Sequence, residues 1–368
     1  MNIKKLKFYH FRNYDKASFS FEKNAVHVLQ GKNAQGKTNI VEGIYFLSLL
    51  RSFRTNKTVN MIRHGQSSFV IEAEVETKGR VEELKAAVSG TKKQLFRFND
   101  PVARYSEFVG TVNAVLFCPD DMTLFSDSPA ARRKFIDMEL IKLSRSYTAT
   151  LSHYQKLLKE RNQALKQPCP DQTLIGIYTK QMIADQKIII RQRAAFVKEL
   201  MEKAQKLYPF FSGGEEKIDA IYETFAKEED TETAMEKMYA KTLERDIQYK
   251  NTQLGIHKDD FLFLLNGMPV VQIASQGQKR SALLSLKLGL AQIIYEKDGQ
   301  YPILLLDDVF SELDQDRRKK LIEMLPHEMQ IFITSAEPIP KDWFDRPVKF
   351  YEIENGTVKE ETHERTEE

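Results

Sequence analysis

The chain has very little cysteine and no long apolar run. Cys118 and Cys169 are the only cysteines among 368 residues, too few for a disulfide framework or a cysteine-rich metal knuckle. No stretch reaches the roughly 20 apolar residues that a membrane-spanning helix needs. Residues 1–5 lack the apolar core of a signal peptide. We therefore expect a cytoplasmic protein with no membrane partner.

The chain as a whole also has little excess of charge of either sign, since its net charge is only +3. Residues 352–368, however, hold seven acidic residues against two basic ones, so this end carries −5 and the rest of the chain +8. We expect the acidic end to be a solvated, partly disordered tail. Basic clusters occur at Arg51, Arg54, Lys57 and Arg63, at Lys92, Lys93, Arg97 and Arg104, and at Arg132, Arg133 and Lys134. They fit phosphate contacts on nucleic acid and solvated faces equally well.

Residues 31–38 read Gly-Lys-Asn-Ala-Gln-Gly-Lys-Thr, a complete G-x-x-x-x-G-K-[ST] phosphate-binding loop (P-loop). An apolar run at 25–29 predicts a strand before the loop, and residues 39–44 begin a helical pattern after it. Glycines let backbone N–H groups face a phosphate, and the helix adds its positive N-terminus. In such a loop Lys37 reaches the β- and γ-phosphates and the Thr38 hydroxyl binds Mg²⁺.

A second site lies far along the chain, where the apolar run 302–306 ends in Asp307 and Asp308. Such a run is typical of a central parallel strand covered on both faces. At its C-terminal end Asp307 would hold Mg²⁺, and Asp308 would orient or deprotonate an attacking water. A core strand followed by an acidic turn would look the same. Together with the P-loop, however, the pair predicts a nucleoside triphosphatase.

Residues 275–280 read Ser-Gln-Gly-Gln-Lys-Arg, 32 positions before Asp307, and an apolar helical pattern follows. This string resembles the signature motif of ABC-type ATPases, in which a serine and a helix N-terminus grip the γ-phosphate. Ser-Glu-Leu-Asp at 311–314 resembles their D-loop. In isolation, Ser-Gln-Gly-Gln usually marks a plain helix cap. A similar string at 212–215, Ser-Gly-Gly-Glu, has no apolar helix after it, and we interpret it as a turn.

Hydrophobic periodicity divides the chain into strand-rich ends and a helical middle. Alternation predicts strands at 3–9, 17–21, 68–76, 81–88 and 94–98, with a turn at 99–101. A helical period runs from about 129 until Pro168 and Pro170, then from 174 to 207, where Tyr208-Pro209-Phe210-Phe211 ends it, and again over 231–250. Strand patterns return at 261–264 and 330–334.

The predicted fold class is therefore α/β, an ABC-type ATPase head with an inserted, mainly α-helical second lobe. We assign 1–118 to the first part of the ATPase lobe, 119–295 to the helical lobe with the signature motif, and 296–368 to the second part of the ATPase lobe. Between Thr38 and Ser275 lie 236 residues, far more than in a transporter's ATPase subunit. SMC and Rad50 heads also carry an insertion, but theirs is a much longer coiled coil.

The chain more nearly resembles the RecF family of bacterial recombination mediators. The strings that carry this resemblance are residues 11–14, 31–42, 52–54, 132–137, 257–261, 275–280 and 306–314. The resemblance implies a protein that binds ATP, dimerises on it and binds duplex DNA and single-strand/duplex junctions without base specificity. It also implies action with RecR and RecO in loading recombinase at gaps, and links to replication and the SOS response.

The resemblance assigns roles residue by residue. Catalytic roles fall to Lys37, Asp307, Asp308 and Ser275, and Mg²⁺ to Thr38 and Asp307. The ATP-binding set is Gly31, Lys32, Asn33, Ala34, Gln35, Gly36, Lys37, Thr38 and Asn39, with Ser275, Gly277 and Gln278 acting from a second copy. Arg12 is a further candidate near the nucleotide.

Three positions depart from the general ABC pattern. Asp308 stands where many ABC enzymes have glutamate, which fits a weak ATPase. Ser335 stands at the switch-histidine position, and Asp120 or Asp121 replaces the Q-loop glutamine. An SMC-like structural head and a transporter ATPase subunit are the alternative functions.

Overall fold

The computed structural model describes residues 1–126 and 128–361, which form two compact units. Unit 1 consists of Met1–Met122, Leu207–Gly214 and the described residues from Arg280 onward, and unit 2 of Thr123–Lys206 and Glu215–Lys279. These limits differ from those of the lobes predicted at 1–118, 119–295 and 296–368. The largest difference concerns the helix that follows the signature motif. Its residues from Arg280 onward belong to unit 1, where Ser281 and the buried Lys287 make hydrogen bonds.

One antiparallel sheet of unit 1 has the strand order β2-β1-β4-β5-β6-β7. Its strands are β1 (Asn2–Phe11), β2 (Tyr14–Ser20), β4 (Ser68–Thr77), β5 (Arg80–Ser89), β6 (Lys92–Arg97) and β7 (Asp100–Pro101). Alternate residues of β4 are buried, as the period of two predicts. The predicted strands are confirmed, but the turn predicted at 99–101 is wrong. The reversal occurs at Phe98 and Asn99, whose positive φ angles suit a tight hairpin, and Asp100–Pro101 pairs with β6.

The second sheet of unit 1 has the order β15-β14-β3-β13-β12-β8. Its strands are β3 (Val26–Gln30), β8 (Ala114–Phe117), β12 (Ile303–Asp307), β13 (Ile331–Ser335), β14 (Val348–Glu354) and β15 (Thr357–Glu361). All pairings are parallel except that of β14 with β15. β12 and β13 are buried along their whole length, as expected for strands covered on both faces.

The helix after the P-loop, α1 (Lys37–Leu49), belongs to the same hydrophobic core as both sheets. Ile40, Val41 and Ile44 are fully buried in it together with Phe8 of β1 and Phe332 of β13. This helix is therefore apolar on most of its surface, and its N-terminus is rigidly attached to the strand edges that carry the predicted site.

The remaining helices of unit 1 are α2 (Tyr105–Phe108), α9 (Val309–Glu312) and α10 (Gln315–Met324), with most of α8 (Gln276–Asp298). Unit 2 contains α3 (Pro129–Leu143), α4 (Arg145–Leu165), most of α5 (Gln172–Ser212), α6 (Glu232–Tyr249) and α7 (Val270–Ile273). Its sheet has the order β11-β10-β9, formed by β9 (Ile218–Glu223), β10 (Asp260–Leu265) and β11 (Met268–Pro269). Short 3₁₀ turns occupy Thr58–Met61, Pro119–Phe125, Ile256–Lys258 and Lys341–Trp343. Among the described residues, no helix has the length and apolarity to cross a bilayer.

Three sequence predictions about the ends of helices and strands are wrong. The pattern from 129 is not one helix, because Ser144 has an extended backbone and its side chain caps α4 by accepting from the Tyr147 N–H. Pro209 does not end α5, which continues to Ser212, because packing overrides helix propensity here: Tyr208 and Phe211 beside it are buried. The acidic end is not a tail up to residue 361, because β14 and β15 form a hairpin there. Residues 362–368 lie outside the described part.

A buried ion network holds unit 2 together. The Arg193 guanidinium on α5 bonds both carboxylate oxygens of Asp137 at 3.0 and 2.9 Å and the Asp259 carboxylate at 3.0 Å. Arg193 is 2% exposed, and burial raises the pKa of Asp259. Nearby, Arg132 bonds both oxygens of Asp260 at 2.7 and 2.8 Å. Two of the strings that resemble RecF, 132–137 and 257–261, therefore meet in this network.

Arg193→Gln should destabilise unit 2 by about 3–5 kcal/mol, since it leaves the buried Asp259 and the half-buried Asp137 without their cation. The matched control is Arg191→Gln, an exposed residue of the same helix, for which we expect a change within about 0.5 kcal/mol. Chemical denaturation followed by circular dichroism measures both. Equal midpoints for the two variants would contradict the network's assigned role.

Candidate nucleotide-binding site

The P-loop leaves β3 and enters α1 through two glycines with left-handed backbones, Gly31 (φ 141°) and Gly36 (φ 119°). A Cβ on Gly31 would lie 2.4 Å from the Ile353 carbonyl oxygen, and one on Gly36 would lie 2.8 Å from the side chains of Asn13 and Tyr14. Any other residue would clash at both positions. The two glycines therefore fix the curl of the loop that brings its N–H groups to one side.

The Lys37 side chain folds back over the loop, where its Nζ donates to the carbonyl oxygens of Gly31 and Lys32. Burial lowers the pKa of Lys37, and the nearby carboxylates of Asp308 and Asp307 act in the opposite direction. The ammonium group thus lies at the P-loop beside two acidic residues.

Four residues from three separate segments of the chain meet where β12, β13 and the P-loop end. They are Thr38, Asp307, Asp308 and Thr334. The Thr38 hydroxyl donates to Asp307 Oδ1 at 2.8 Å, and so does the Thr334 hydroxyl. The Asp308 N–H donates to Thr334 Oγ1 at 2.9 Å. Burial raises the pKa of Asp307, whereas the hydrogen bonds from Thr38 and Thr334 favour its ionised form. Sequence analysis placed Thr334 only in a strand, because nothing local marks its hydroxyl as part of a site.

Two hairpin turns hold the P-loop from outside. Asn13, between β1 and β2, donates from Nδ2 to the Gln35 carbonyl oxygen and accepts from Asn39 Nδ2, both at 2.8 Å. The turn between β14 and β15 donates the N–H groups of Asn355 and Gly356 to Gln35. The loop is thereby fixed at its middle and at the first turn of α1.

A buried carboxylate on α1 organises the basic side chains around the loop. Glu42 is fully buried and accepts two hydrogen bonds from Arg12, at 2.7 and 2.5 Å, and a close one from Ser52. Arg54 lies 3.6 Å from Glu42 and donates to Asn39 at 2.9 Å. Arg12, a candidate from the sequence, therefore belongs to this cluster.

An open cavity of about 410 Å³ lies over these groups, a size within the usual range for small-molecule sites. Its lining contains Asn33, Ala34, Gln35, Gly36, Lys37, Thr38, Asn39 and Asp308 of the predicted set, together with Arg12, Asn13, Arg54, Asn60, Ile62 and Thr334. All of these additional residues except Arg12 were not among the predicted site residues, since they approach only through the folding of separate segments.

The predicted signature residues lie in unit 2. Ser275 and Gln278 form a reciprocal capping box: the Ser275 N–H donates to Gln278 Oε1 at 2.7 Å, and the Gln278 N–H donates to Ser275 Oγ at 3.2 Å. Gln278 also donates to Glu216 at 2.5 Å, and Gly277 lies in the first turn of α8. The similar string at 212–215 follows the end of α5 as a bend, as predicted.

Asp121, a candidate for the Q-loop position, and Ser335, which stands at the switch-histidine position, are both hydrogen-bonded to other parts of the protein. Asp121 pairs with Lys287 at 2.8 Å and accepts from the Cys118 N–H at 2.9 Å. The Ser335 hydroxyl donates to the Glu337 carbonyl oxygen at 2.6 Å. Within the described residues, these contacts tie both side chains to their own surroundings.

Comparisons with known proteins agree with this architecture. The model of the RecF/RecN/SMC N-terminal domain matches residues 2–359. The DNA replication and repair protein RecF of Clostridioides difficile is 36% identical over 97% of this chain and 98% of its own length. The RecF protein of Ligilactobacillus salivarius is 35% identical over 98% of each chain.

Solved structures of other proteins also agree with this architecture. A structure of the recombination mediator protein RecF with ATPrS, in the RecFOR pathway, superposes with a TM-score of 0.89 at 30% identity over 98% of both chains. An Smc head bound to the C-terminal winged-helix domain of ScpA, at 13% identity, has a TM-score of 0.59 over 100% of this chain and 98% of its own, which shows the shared fold.

The glycine-curled loop at the end of a parallel strand, with an acidic pair two strands away, defines a P-loop ATPase head of the ABC type. Within that class the chain belongs to the RecF family.

Asn13→Ala should loosen the P-loop, because the Gln35 carbonyl and the Asn39 amide each lose a partner. We expect amide hydrogen exchange over residues 34–37 to become about fivefold faster or more, since a hydrogen bond contributes roughly 1 kcal/mol. Gln66→Ala, an exposed residue of the same unit, is the control. Unchanged exchange in the Asn13 variant would rule out the clamp.

Proposed function

We propose that this chain is an ATP-binding and ATP-hydrolysing protein of recombinational DNA repair, whose dimerisation on ATP controls its attachment to DNA. The relatives carry the name of a DNA replication and repair protein, and one solved relative carries ATP. The observation that carries the proposal is the 2.8 Å hydrogen bond between Thr38 and Asp307. It brings the end of the P-loop to the acidic pair 269 residues away.

In this proposal the triphosphate lies on the backbone of Gly31, Lys32, Asn33, Ala34, Gln35, Gly36, Lys37, Thr38 and Asn39. The N–H groups and the α1 N-terminus supply positive potential, and Lys37 adds a full charge. The clamp of Asn13 and Asn355 on Gln35 supports this role, since a loop shaped before ATP arrives loses less entropy on binding.

The oxygen donors of Thr38 and Asp307 fit Mg²⁺, which prefers hard oxygen ligands. Their 2.8 Å contact puts both oxygens at one point beside the P-loop. An ion held by these residues would help to neutralise the negative charge that develops on the phosphates. The ionised state of Asp307 that the two hydroxyl donors favour is the state that such an ion requires.

Asp308 is the candidate for the residue that orients or deprotonates the attacking water, since it lines the cavity beside Lys37. Its side chain is one methylene shorter than the glutamate common in ABC enzymes. A water at the γ-phosphate would therefore be held less closely, and we expect weak ATPase activity.

The signature residues Ser275, Gly277 and Gln278 would close the ATP site of a second copy. Ser275 is exposed at the start of α8, and its hydroxyl proton can still be donated, because in the capping box Ser275 Oγ acts as acceptor. Its proposed ligand is the γ-phosphate. Loss of that phosphate on hydrolysis would remove the contact and open the dimer.

DNA is the proposed macromolecular partner, as duplex and as single-strand/duplex junctions and without base specificity, with RecR and RecO acting in the same process. Arg132 and Arg133 are used inside unit 2 by Asp260 and the Asp259 carbonyl, which argues against them as phosphate contacts. Better candidates are exposed members of the two predicted basic clusters in unit 1, namely Arg51, Lys57, Lys92 and Arg104.

Asp308→Asn should lower the ATP turnover number by about 100-fold or more, since general bases contribute roughly 10²–10⁴. ATP affinity should stay within about threefold, because P-loop contacts dominate binding. Steady-state hydrolysis and calorimetric titration measure the two quantities. Asp316→Asn, exposed on α10, is the control and should hydrolyse ATP normally. Undiminished turnover in the Asp308 variant would refute the assigned role.

Ser275→Arg should abolish ATP-dependent dimers, because a bulky charge would press on the partner's nucleotide. Sedimentation with ATP, ADP or no nucleotide, with and without gapped DNA, measures this. The control is Ser212→Arg in the similar string at 212–215, which should still dimerise. We expect the wild type to dimerise and to bind DNA more tightly with ATP than with ADP. A wild type that stays monomeric with ATP would refute the proposed dimer, and equal DNA binding with ATP and ADP would favour a structural head or a transporter subunit instead.

A further inference from the structure

Thr334 occupies the strand that separates the two halves of the candidate site. β13 lies between β3, which leads into the P-loop, and β12, which ends at the acidic pair. In the parallel register Thr334 is paired directly with Asp307, and it is 1% exposed. A hydroxyl buried to this degree must have its hydrogen bonds satisfied by protein groups, and here both partners belong to the acidic pair.

The Thr334 hydroxyl acts both as a hydrogen-bond donor and as a hydrogen-bond acceptor. It donates to Asp307 Oδ1 at 2.8 Å and accepts from the Asp308 N–H at 2.9 Å. Asp307 Oδ1 also accepts a hydrogen bond from the Thr38 hydroxyl, so the two threonines hold the same carboxylate oxygen. Rotation of the Asp307 carboxylate would break both bonds.

Asp308 has a left-handed backbone, with φ 54° and ψ 25°. Such a conformation is unfavourable for a residue with a side chain, although aspartate tolerates it better than most. Two hydroxyls hold it in place: Thr334 accepts from its N–H, and Ser311 donates to its carbonyl oxygen at 2.7 Å. The direction of the Asp308 side chain follows from this backbone.

We propose that Thr334 is a positioning residue for ATP hydrolysis, whose single hydroxyl sets the orientation of both Asp307 and Asp308. This inference rests on the hydrolytic role proposed above for Asp308. The neighbouring Ser335 has no such part, because its hydroxyl bonds the backbone of Glu337 as both donor and acceptor. Of the two hydroxyl residues that end β13, only the first contacts the acidic pair in the described structure.

The test compares Thr334→Val, which has nearly the same shape without the hydroxyl, with Thr334→Ser, which keeps it. We expect the valine variant to lose about tenfold or more in turnover, since misplacement of a catalytic group by about 1 Å can cost up to 100-fold. Its ATP dissociation constant should change by less than about threefold, since the P-loop is intact. The serine variant and Ser335→Ala should stay within about threefold of the wild type in both quantities.

A double variant separates positioning from a general loss of structure. Because part of the Thr334 effect acts through Asp308, the combined loss in turnover of Thr334→Val with Asp308→Asn should be smaller than the product of the two single losses. Additive losses, equal losses in binding and turnover, or normal turnover in the valine variant would overturn the inference. Should the valine variant not fold, Thr334→Cys gives the same comparison with a weak hydrogen-bonding thiol. A wild type without ATPase activity would instead refute the proposed function.

Discussion

The hydrogen bond between Thr38 and Asp307 is the interaction on which the site depends, and it exists because three parallel strands end at one edge. β3 delivers the P-loop, β12 delivers the acidic pair, and β13 lies between them. Parallel strands bring their C-terminal ends together whatever the sequence distance, which is why ligand sites form there. The burial of β12 and β13 makes this edge rigid, so the polar groups that leave it keep a fixed spacing.

Buried charge is the second constraint, and every buried charged group near the loop has partners. Asp307 has two hydroxyl donors, and Glu42 has Arg12, Arg54 and Ser52. Unpaired, such groups would be very costly to remove from water. When these groups are paired, they form a polar environment that is already oriented before a ligand arrives. Such preorganised polar groups strongly stabilise the charge that develops during a reaction. The same principle holds unit 2 together at Arg193.

Local patterns were sufficient for most elements and for the two ends of the site. The P-loop could be recognised from the sequence because its glycines, lysine and threonine must stand at fixed spacing. The strand before Asp307 could be recognised because full burial requires an unbroken apolar run. Patterns failed where one residue decides between similar outcomes. Ser144 separates α3 from α4 by capping the second helix, and α5 continues through Pro209 to Ser212. The hairpin that includes residues 352–361 forms although its composition is acidic, because β14 pairs with β3.

The sequence by itself determined the class of fold, the P-loop, the acidic pair and the family to which the chain belongs. Each can be recognised from contiguous strings that have their own local chemistry. Only the tertiary structure decided that Thr334 joins the Asp307 carboxylate to the Asp308 backbone N–H, that Asn13 clamps the P-loop, and that Arg132 pairs with Asp260. These are single polar side chains whose partners lie 22 to 128 residues away. A hydroxyl, an amide or a guanidinium has the same local signature whether it faces solvent or completes a site, and the packing of sheets and helices makes the difference.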